Sequence, residues 1–336
     1  MPVPENITIK QLDLELNGGC NYTCPMCPQA DGREKDFLKK LPFDVFTKIV
    51  DDALQYGLDT VSLHGSGEPT LNRDMAKYVA YVKSKNVKCI SFTNGYRLTE
   101  DISRELIEAG IDVLRVSCIG FDRESYAHWM SMDVFDEART NIKSFVRINK
   151  ELGEPSDIHL YHLVTDISQS DAEIAAYRKN WVEETGAKAE IWLMHNWAGS
   201  AVELGYHRES MIASKYRQRS CGRPFSPLLQ VRAGGLDGLT AGVVACCMVL
   251  GKDSDAILGH LDTQSIADVV SGAPYRKLRE AHTNERYGEI PYCANCDQLY
   301  EIPESLVWTN IDEREYGQSK IVAGLDHRAF ANSAIK

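Results

Sequence analysis

Two rhythms of hydrophobic and polar positions alternate along residues 10–197 of this 336-residue chain. Leu12, Leu14 and Leu16 occupy every second position, which is the period of a strand. Apolar residues in 43–57 recur at helical spacing and stop at a glycine, and 59–65 follows as a strand-like run. The order then repeats, with helical segments at 72–86, 99–110, 134–153 and 170–186 and strand-like segments at 87–95, 112–120, 157–165 and 189–197.

This alternation predicts the architecture of the first two hundred residues. Alternating β and α elements indicate a parallel sheet with right-handed crossovers. Six strands are fewer than the eight of a closed barrel, so the pattern predicts an open, partial (β/α)6 barrel in the α/β class. In such folds the chemistry lies at the C-terminal ends of the strands.

The pattern changes after residue 200 and predicts a second, smaller domain. Residues 227–235 and 241–251 look like a β-hairpin, a short helix follows at 265–283, and a C-x2-C pair comes next. We therefore expect a barrel over 1–200, a small C-terminal domain over 201–312 and a polar tail over 313–336.

Composition and charge exclude several classes of function. The net charge is −11 with no Lys/Arg block, which argues against a nucleic-acid partner. No run of about 18 apolar residues predicts a membrane span, and the first ten residues lack an apolar signal core. We therefore expect a cytoplasmic protein, in which ten cysteines indicate metal or redox chemistry more than disulfides.

Three of the cysteines lie within eight residues, directly after the first predicted strand. The spacing of Cys20, Cys24 and Cys27 is C-x3-C-x2-C, and Pro25 stiffens the loop. A cubane [4Fe–4S] cluster takes four thiolates, one per iron, so three thiolates leave one iron open to a ligand. The alternative is a zinc site completed by a distant residue such as His64.

The other strand ends carry polar groups that would meet at the same edge of the sheet. Strand two ends in Gly65-Ser66-Gly67-Glu68, where the glycines allow close backbone approach and the glutamate suits an ammonium group. Strand three ends at Asn94, and strand four ends at Ser117 and Cys118. Together with the cysteine loop, these ends predict a cofactor site.

At these residues the sequence resembles the radical S-adenosylmethionine enzymes. "CNYTCPMC" matches their cysteine signature, and "GSGEP" looks like their glycine-glycine-glutamate motif with a serine in place of one small residue. The resemblance implies that the open iron binds S-adenosylmethionine, whose reductive cleavage yields a 5′-deoxyadenosyl radical that abstracts a substrate hydrogen. It also implies the cofactor-binding residues, which are Gly65, Ser66, Gly67, Glu68, Asn94, Ser117 and, near the adenine, Met26.

A second group of cysteines supplies a complete ligand set in the C-terminal domain. Spacing alone leaves zinc and iron–sulfur open, because a C-x2-C pair with two further cysteines suits either. The surrounding sequence resembles the shortened "twitch" form of the SPASM domain, which implies one auxiliary [4Fe–4S] cluster. The predicted ligands are Cys221, Cys246, Cys293 and Cys296.

Cys247 is left over by this assignment, because adjacent side chains of a strand point to opposite faces. Cys246 is taken as the ligand since it matches the family pattern. The branch often has an Asp two positions after the pair, where this chain has Val249. Candidate catalytic residues are therefore the thiols of Cys247 and Cys118, with His195 as a candidate acid–base group.

These features predict a radical enzyme that acts on a small polar molecule such as a sugar, an aminocyclitol or a nucleoside-like metabolite. The outcome would be oxidation or epimerisation, with a reductant protein such as flavodoxin or ferredoxin as partner. The alternatives are a peptide-modifying radical enzyme and a non-catalytic scaffold with two zinc sites.

Overall fold

A computed structural model describes residues 7–27, 37–199, 220–249, 254–299 and 306–312 of the chain. The predicted polar tail, 313–336, lies outside these residues. The strands are β1 (Gln11–Leu14), β2 (Thr60–Leu63), β3 (Lys88–Thr93), β4 (Val113–Ser117), β5 (Asp157–Val164), β6 (Lys188–Leu193), β7 (Leu228–Ala233), β8 (Ala241–Val244), β9 (Ile257–His260) and β10 (Leu306–Thr309). The helices are α1 (Phe43–Leu54), α2 (Met75–Ser84), α3 (Glu100–Glu108), α4 (Arg123–Met130), α5 (Phe135–Glu151), α6 (Ser170–Tyr177), α7 (Ile266–Val270) and α8 (Ala273–Thr283). No helix among the described residues is both long and apolar enough to cross a membrane.

The described strands form one open sheet in the order β10-β6-β5-β4-β3-β2-β1-β7-β8-β9. Strands β1 to β6 are parallel and helices connect them, which confirms the predicted partial (β/α)6 barrel. The predicted hairpin is also present, as antiparallel β7 and β8. It belongs to the same sheet, because β7 pairs in parallel with β1.

The hydrophobic core lies between the sheet and its helices. Leu12, Leu14 and Leu16 are fully buried in this core, together with the apolar face of α1. Thr99 caps α3, because its side chain accepts a hydrogen bond from Ile102 N. Since alternate residues of a strand point to opposite faces, the polar residues between the leucines face the concave side.

The single helix predicted at 265–283 is wrong, because the segment forms two helices. Helix α7 begins after a capping box between Ser265 and Asp268 and ends at Val270. Gly272 is the N-cap of α8, and Pro274 occupies its first turn, where the missing N–H costs no hydrogen bond.

Candidate functional site

The first cysteine loop leaves the C-terminal end of β1. A turn joins Cys27 N to Cys24 O at 2.9 Å, and Tyr22 N donates to Cys20 Sγ at 3.5 Å. Burial raises the pKa of the Cys20 thiol to about 11, and Glu68 and Cys27 add to the rise. Burial also raises the pKa of the Cys24 thiol, with contributions from Cys27 and Cys20. The structure therefore brings the three predicted ligands together.

A buried carboxylate holds the Gly65–Glu68 loop beside the cysteines. Glu15 Oε1 accepts hydrogen bonds from Ser66 N at 2.6 Å, Ser66 Oγ at 2.9 Å and Gly67 N at 2.9 Å. Its Oε2 accepts from Ala233 N at 2.8 Å, so one side chain links the loop to β7. Sequence reasoning missed Glu15, although its inward position after Asp13 on β1 was a usable signal.

Two glycines of this loop are required by close packing. A Cβ atom on Gly67 would lie 1.8 Å from Asn17 O, and one on Gly65 would lie 2.5 Å from the Glu15 side chain. The loop also pairs with the cysteine segment, because Glu68 N donates to Gly19 O at 2.8 Å. The first two strand ends therefore form one continuous site.

Glu15→Gln is expected to lower the free energy of unfolding by about 2–3 kcal/mol, because charge-assisted hydrogen bonds to buried N–H groups are lost. It should also weaken the binding of S-adenosylmethionine by the reconstituted protein, since the loop loses its anchor. Denaturant titration and equilibrium dialysis measure the two effects. The exposed Glu105→Gln variant is the matched control, and equal stability of the two variants would contradict the anchoring role.

Glu68 lies at the centre of the strand-end network. Its Oε1 accepts from Thr70 N, Thr70 Oγ1 and Thr93 Oγ1, and its Oε2 accepts from Asn94 N at 2.7 Å. A carboxylate offers about four acceptor sites, two on each oxygen, so Oε2 keeps capacity for one further donor. Asn94 Nδ2 in turn donates to Asn21 Oδ1 of the cysteine loop at 2.9 Å. The binding of the S-adenosylmethionine ammonium group by Glu68 stays a prediction. The binding of its ribose or carboxylate by Asn94 also stays a prediction.

The remaining predicted residues have different surroundings. Ser117 is half-buried at the end of β4, and Met26 is buried in the hydrophobic core. Cys118 was expected to face the pocket, but its side chain is 0% exposed and lies in the core. Burial raises the pKa values of Tyr126 and Tyr177, and Cys118 adds to both rises. His195 is half-buried after β6, and its ring packs 4.3 Å from that of Trp197.

The second cysteine group comes together around Arg223. Burial raises the pKa of Cys246 to about 11, and Cys247 and Cys221 add to the rise. Burial also raises the pKa of Cys293, with contributions from Cys246 and Cys221. Burial opposes the charge of Arg223, but Cys247, Cys221, Cys246 and Cys296 together raise the pKa of its guanidinium.

The two adjacent cysteines differ in their neighbours. Cys246 contributes to the raised pKa of both Cys293 and Cys296, which matches its prediction as a ligand. Cys247 instead contributes to the raised pKa of Tyr161, after burial and Glu190, and Tyr161 lies on the concave face of the sheet. Cys247 also raises the pKa of Cys246 and of Arg223, so the choice of Cys246 as ligand and Cys247 as the spare thiol stays a prediction.

The C-x2-C turn is tied to the end of β6. Asn196 N donates to Asp297 Oδ2 at 2.9 Å, and Asp297 N donates to Asn196 Oδ1 at 3.1 Å. Asn196 Nδ2 also donates to Asn295 O at 2.7 Å. Gly199 has a φ of +88°, and a Cβ atom there would lie 2.7 Å from Asn295 Cβ. This contact places the segment that carries His195 beside the second cysteine group.

The concave face of the barrel carries buried charges and polar groups. Asp13 accepts from Gln11 Nε2 at 2.7 Å and from Gln230 Nε2, and its carboxylate lies 3.6 Å from His64 Nε2. Arg115 Nη2 lies 2.9 Å from Glu190 Oε1. A polar lining of this kind is suited to a small polar ligand.

The chemistry of the two donor sets fits iron–sulfur clusters, because each consists of cysteine thiols and such clusters are held by thiolates. Thiols with a raised pKa, such as those of Cys24 and Cys293, would have to release their protons when a cluster binds. Among the residues that the structure describes, no three Cys, His, Asp or Glu side chains converge closely enough to hold one single metal ion.

Comparisons with known proteins agree with this site. The profile of the Radical SAM superfamily matches residues 14–165, and that of SPASM, an iron–sulfur cluster-binding domain, matches residues 239–297. A probable GTP 3′,8-cyclase of Methanococcus maripaludis is 31% identical over 118 residues, which are 35% of this chain and 39% of that protein. Another, of Saccharolobus islandicus, is 31% identical over 142 residues, 42% of this chain and 44% of that protein. The matches thus span less than half of these curated relatives.

Solved structures show the same fold. The structure of BtrN in complex with AdoMet and 2-DOIA has a TM-score of 0.58 at 19% identity and covers 90% of this chain and 99% of that one. Streptococcus suis SuiB bound to the precursor peptide SuiA has a TM-score of 0.60 at 14% identity and covers 87% of this chain and 70% of that one. At these identities the likeness shows the fold alone.

Proposed function

Because the chain belongs to the radical S-adenosylmethionine superfamily and carries a SPASM domain, we propose that it removes a hydrogen atom from a small polar substrate and yields an oxidised or an inverted product. The domains bind [4Fe–4S] clusters and S-adenosylmethionine, which supply the 5′-deoxyadenosyl radical when bound. Cys20, Cys24 and Cys27 would hold the cluster that binds S-adenosylmethionine. Cys221, Cys246, Cys293 and Cys296 would hold the auxiliary cluster.

The observation that carries the proposal is the set of buried charged and polar side chains on the concave face of the barrel. This face includes Arg115 on β4 and Glu190 on β6, which form an ion pair, and Asp13 on β1. Buried charges are costly unless they are paired, so a lining of this kind suits a ligand rich in polar groups. A peptide or an apolar ligand has less need of it.

Two outcomes are open to the substrate radical. Oxidation would require an acceptor for one electron, which a cluster held by Cys221, Cys246, Cys293 and Cys296 would supply. It would also require a base for the proton, and the family position for that base is Val249 here. In epimerisation, the Cys247 S–H bond breaks and a C–H bond forms on the opposite face of the carbon. The sulfur radical then takes one electron, from a partner such as flavodoxin or ferredoxin, and one proton.

Cys247 is the better candidate of the two spare thiols. Cys247 contributes to the raised pKa of Tyr161, which lies on the concave face. Cys118, in contrast, is completely buried in the core. We therefore propose Cys247 as the hydrogen donor of the epimerising outcome. His195 remains a proposed acid–base group, since its segment is held beside the second cysteine group.

A second candidate function is cyclisation of a nucleotide. It rests on the matches to probable GTP 3′,8-cyclases, at 31% identity over 118 and 142 residues. The matched segments cover less than half of each relative. GTP therefore belongs among the first substrates to be tested, beside aminocyclitols and sugars.

Turnover in heavy water is expected to separate the two outcomes. A thiol exchanges its proton with the solvent, so epimerisation through Cys247 would place one deuterium at the inverted carbon, and Cys247→Ala would abolish that label. Oxidation would give a product two mass units lighter without solvent label. Mass spectrometry of products from a substrate panel measures both. Deuterium incorporation that persists in Cys247→Ala would rule out this thiol as donor.

A further inference from the structure

Hydrogen-bonding atoms without a partner gather on the concave face of the sheet. Among the described residues they include Arg115 Nε, both ring nitrogens of His159, Gln230 Oε1, and Arg232 Nε and Nη1. Each belongs to a strand position that faces the barrel interior, on β4, β5 or β7. Native proteins rarely leave such groups unsatisfied, so a cluster of them calls for an explanation.

Arg232 is the member of this cluster whose charge is least well balanced by its neighbours. Its side chain is 1% exposed, and its Nη2 donates to Cys247 O at 3.2 Å and Val249 O at 3.3 Å. No carboxylate of the described residues forms an ion pair with it. A buried cation with only carbonyl partners is costly, and a bound anion would remove that cost.

The acidic groups of the interior are already engaged elsewhere. Asp13 accepts from two glutamine side chains, and Glu15 is occupied by the Gly65–Glu68 loop and by β7. Glu190 pairs with Arg115 through Nη2, which leaves Arg115 Nε without a partner. The contact of Glu190 Oε1 does not have good hydrogen-bond geometry, but the charge of Glu190 is already balanced by Arg115. The described acids therefore leave the charge of Arg232 unbalanced.

Arg232 and Arg115 approach the interior from opposite walls, on β7 and β4. Burial lowers the pKa of His64, and after the opposing effect of Asp13 both Arg232 and Arg115 lower it further. Arg115 also packs over the Phe92 ring at 5.3 Å, and that ring lies 4.7 Å from the His64 ring. His159, opposite Arg115 in the register, is neutral because burial lowers its pKa to about 3.

We propose that the substrate carries an oxyanion, a phosphate or a carboxylate, that binds in the barrel interior between Arg232 and Arg115. The inference rests on the proposed function and names the chemical class of its substrate. A guanidinium carries a permanent charge and five N–H donors, and those on Nε and Nη1 of Arg232 have no partner among the described residues and can each bind an oxyanion oxygen. Arg232 also contacts the turn that carries Cys247, so the anion would hold the substrate beside the spare thiol.

Calorimetric titration of the anaerobically reconstituted holoenzyme tests the proposal. The probes are inorganic phosphate, succinate and uncharged myo-inositol, in about 0.15 M sodium chloride so that surface attraction is screened. We expect saturable binding of phosphate or succinate, and the one that binds identifies the anion. Arg232→Gln should weaken this binding about tenfold or more, since charge-assisted hydrogen bonds are lost. Arg104→Gln, an exposed change of the same charge on α3, should leave it unaltered.

A second variant guards against loss of the fold. Arg232 holds the turn after the second cysteine pair, so iron content is measured for every variant. Arg115 lies on β4 and pairs with Glu190, not with that turn. Arg115→Gln should therefore weaken the binding of the same anion while the iron content stays full. The proposal is overturned if neither anion binds, or if both variants bind it as tightly as the native protein.

The failure of this inference can be told apart from failure of the proposed function. Formation of 5′-deoxyadenosine from S-adenosylmethionine and dithionite requires no substrate anion. Its formation without anion binding would reject the inference and leave the proposed function standing. Anion binding without 5′-deoxyadenosine would support the anion site and reject the radical chemistry.

Discussion

Cys24→Ala is expected to abolish reductive cleavage of S-adenosylmethionine, so that no 5′-deoxyadenosine forms even without substrate. Two thiolates cannot hold the cluster whose fourth iron is open to the cofactor. The central position of Cys24 strengthens the expectation, since its pKa is influenced by both Cys20 and Cys27. Chromatographic quantification of 5′-deoxyadenosine after anaerobic reconstitution measures the loss.

Cys89→Ala is the matched control for this experiment. Cys89 is fully buried in the hydrophobic core, and its thiol belongs to neither cysteine group. Its removal should cost stability but leave cluster content and cleavage intact. Normal 5′-deoxyadenosine formation by Cys24→Ala would overturn the assignment of the first site.

The second large effect concerns iron content. Two cubane clusters require about eight irons and eight sulfides per chain, and Cys293→Ala should reduce this to about four. Cys293 is one of the four predicted ligands of the second group, so its loss leaves one iron of that cluster without a ligand. The open iron of the first cluster is completed by S-adenosylmethionine, and the second site has no such ligand. The variant should still cleave S-adenosylmethionine but lose substrate turnover, because the first group is untouched.

Iron and sulfide analysis, together with electron paramagnetic resonance of the reduced protein, checks this result. The Cys89→Ala variant again controls for loss of a buried thiol. About four irons and one stoichiometric zinc in the native protein would contradict the auxiliary cluster. Retention of eight irons in Cys293→Ala would remove this residue from the ligand set.

Much of the fold could be predicted because its signals are local. The alternation of Leu12, Leu14 and Leu16 and the glycine after α1 each depend on a few neighbouring residues. The cysteine spacing and the Gly65–Glu68 motif are local as well, and the structure joins them through Glu68 N and Gly19 O. Local patterns therefore located both halves of the first site.

Features that depend on distant contacts could not be predicted. Strand β10 has four residues, and only its antiparallel pairing with β6 identifies it. The role of Glu15 depends on a loop about fifty residues away, and that of Arg232 depends on which acids are already engaged. Cys118 was wrongly expected to face the pocket, because the ladder continues past Ser117. Cys118 N still donates to Tyr161 O, and its side chain alternates to the core.

Strand pairing at both ends of the sheet affects how the whole molecule loses its structure. The segment with the second cysteine group enters the sheet at β7, beside β1, and the chain later returns as β10 beside β6. Neither half can melt without breaking main-chain hydrogen bonds of the other. Regions that share such bonds tend to open as one cooperative unit. The spacing between the two cysteine groups is therefore set by continuous hydrogen-bonded backbone and does not depend on a hinge.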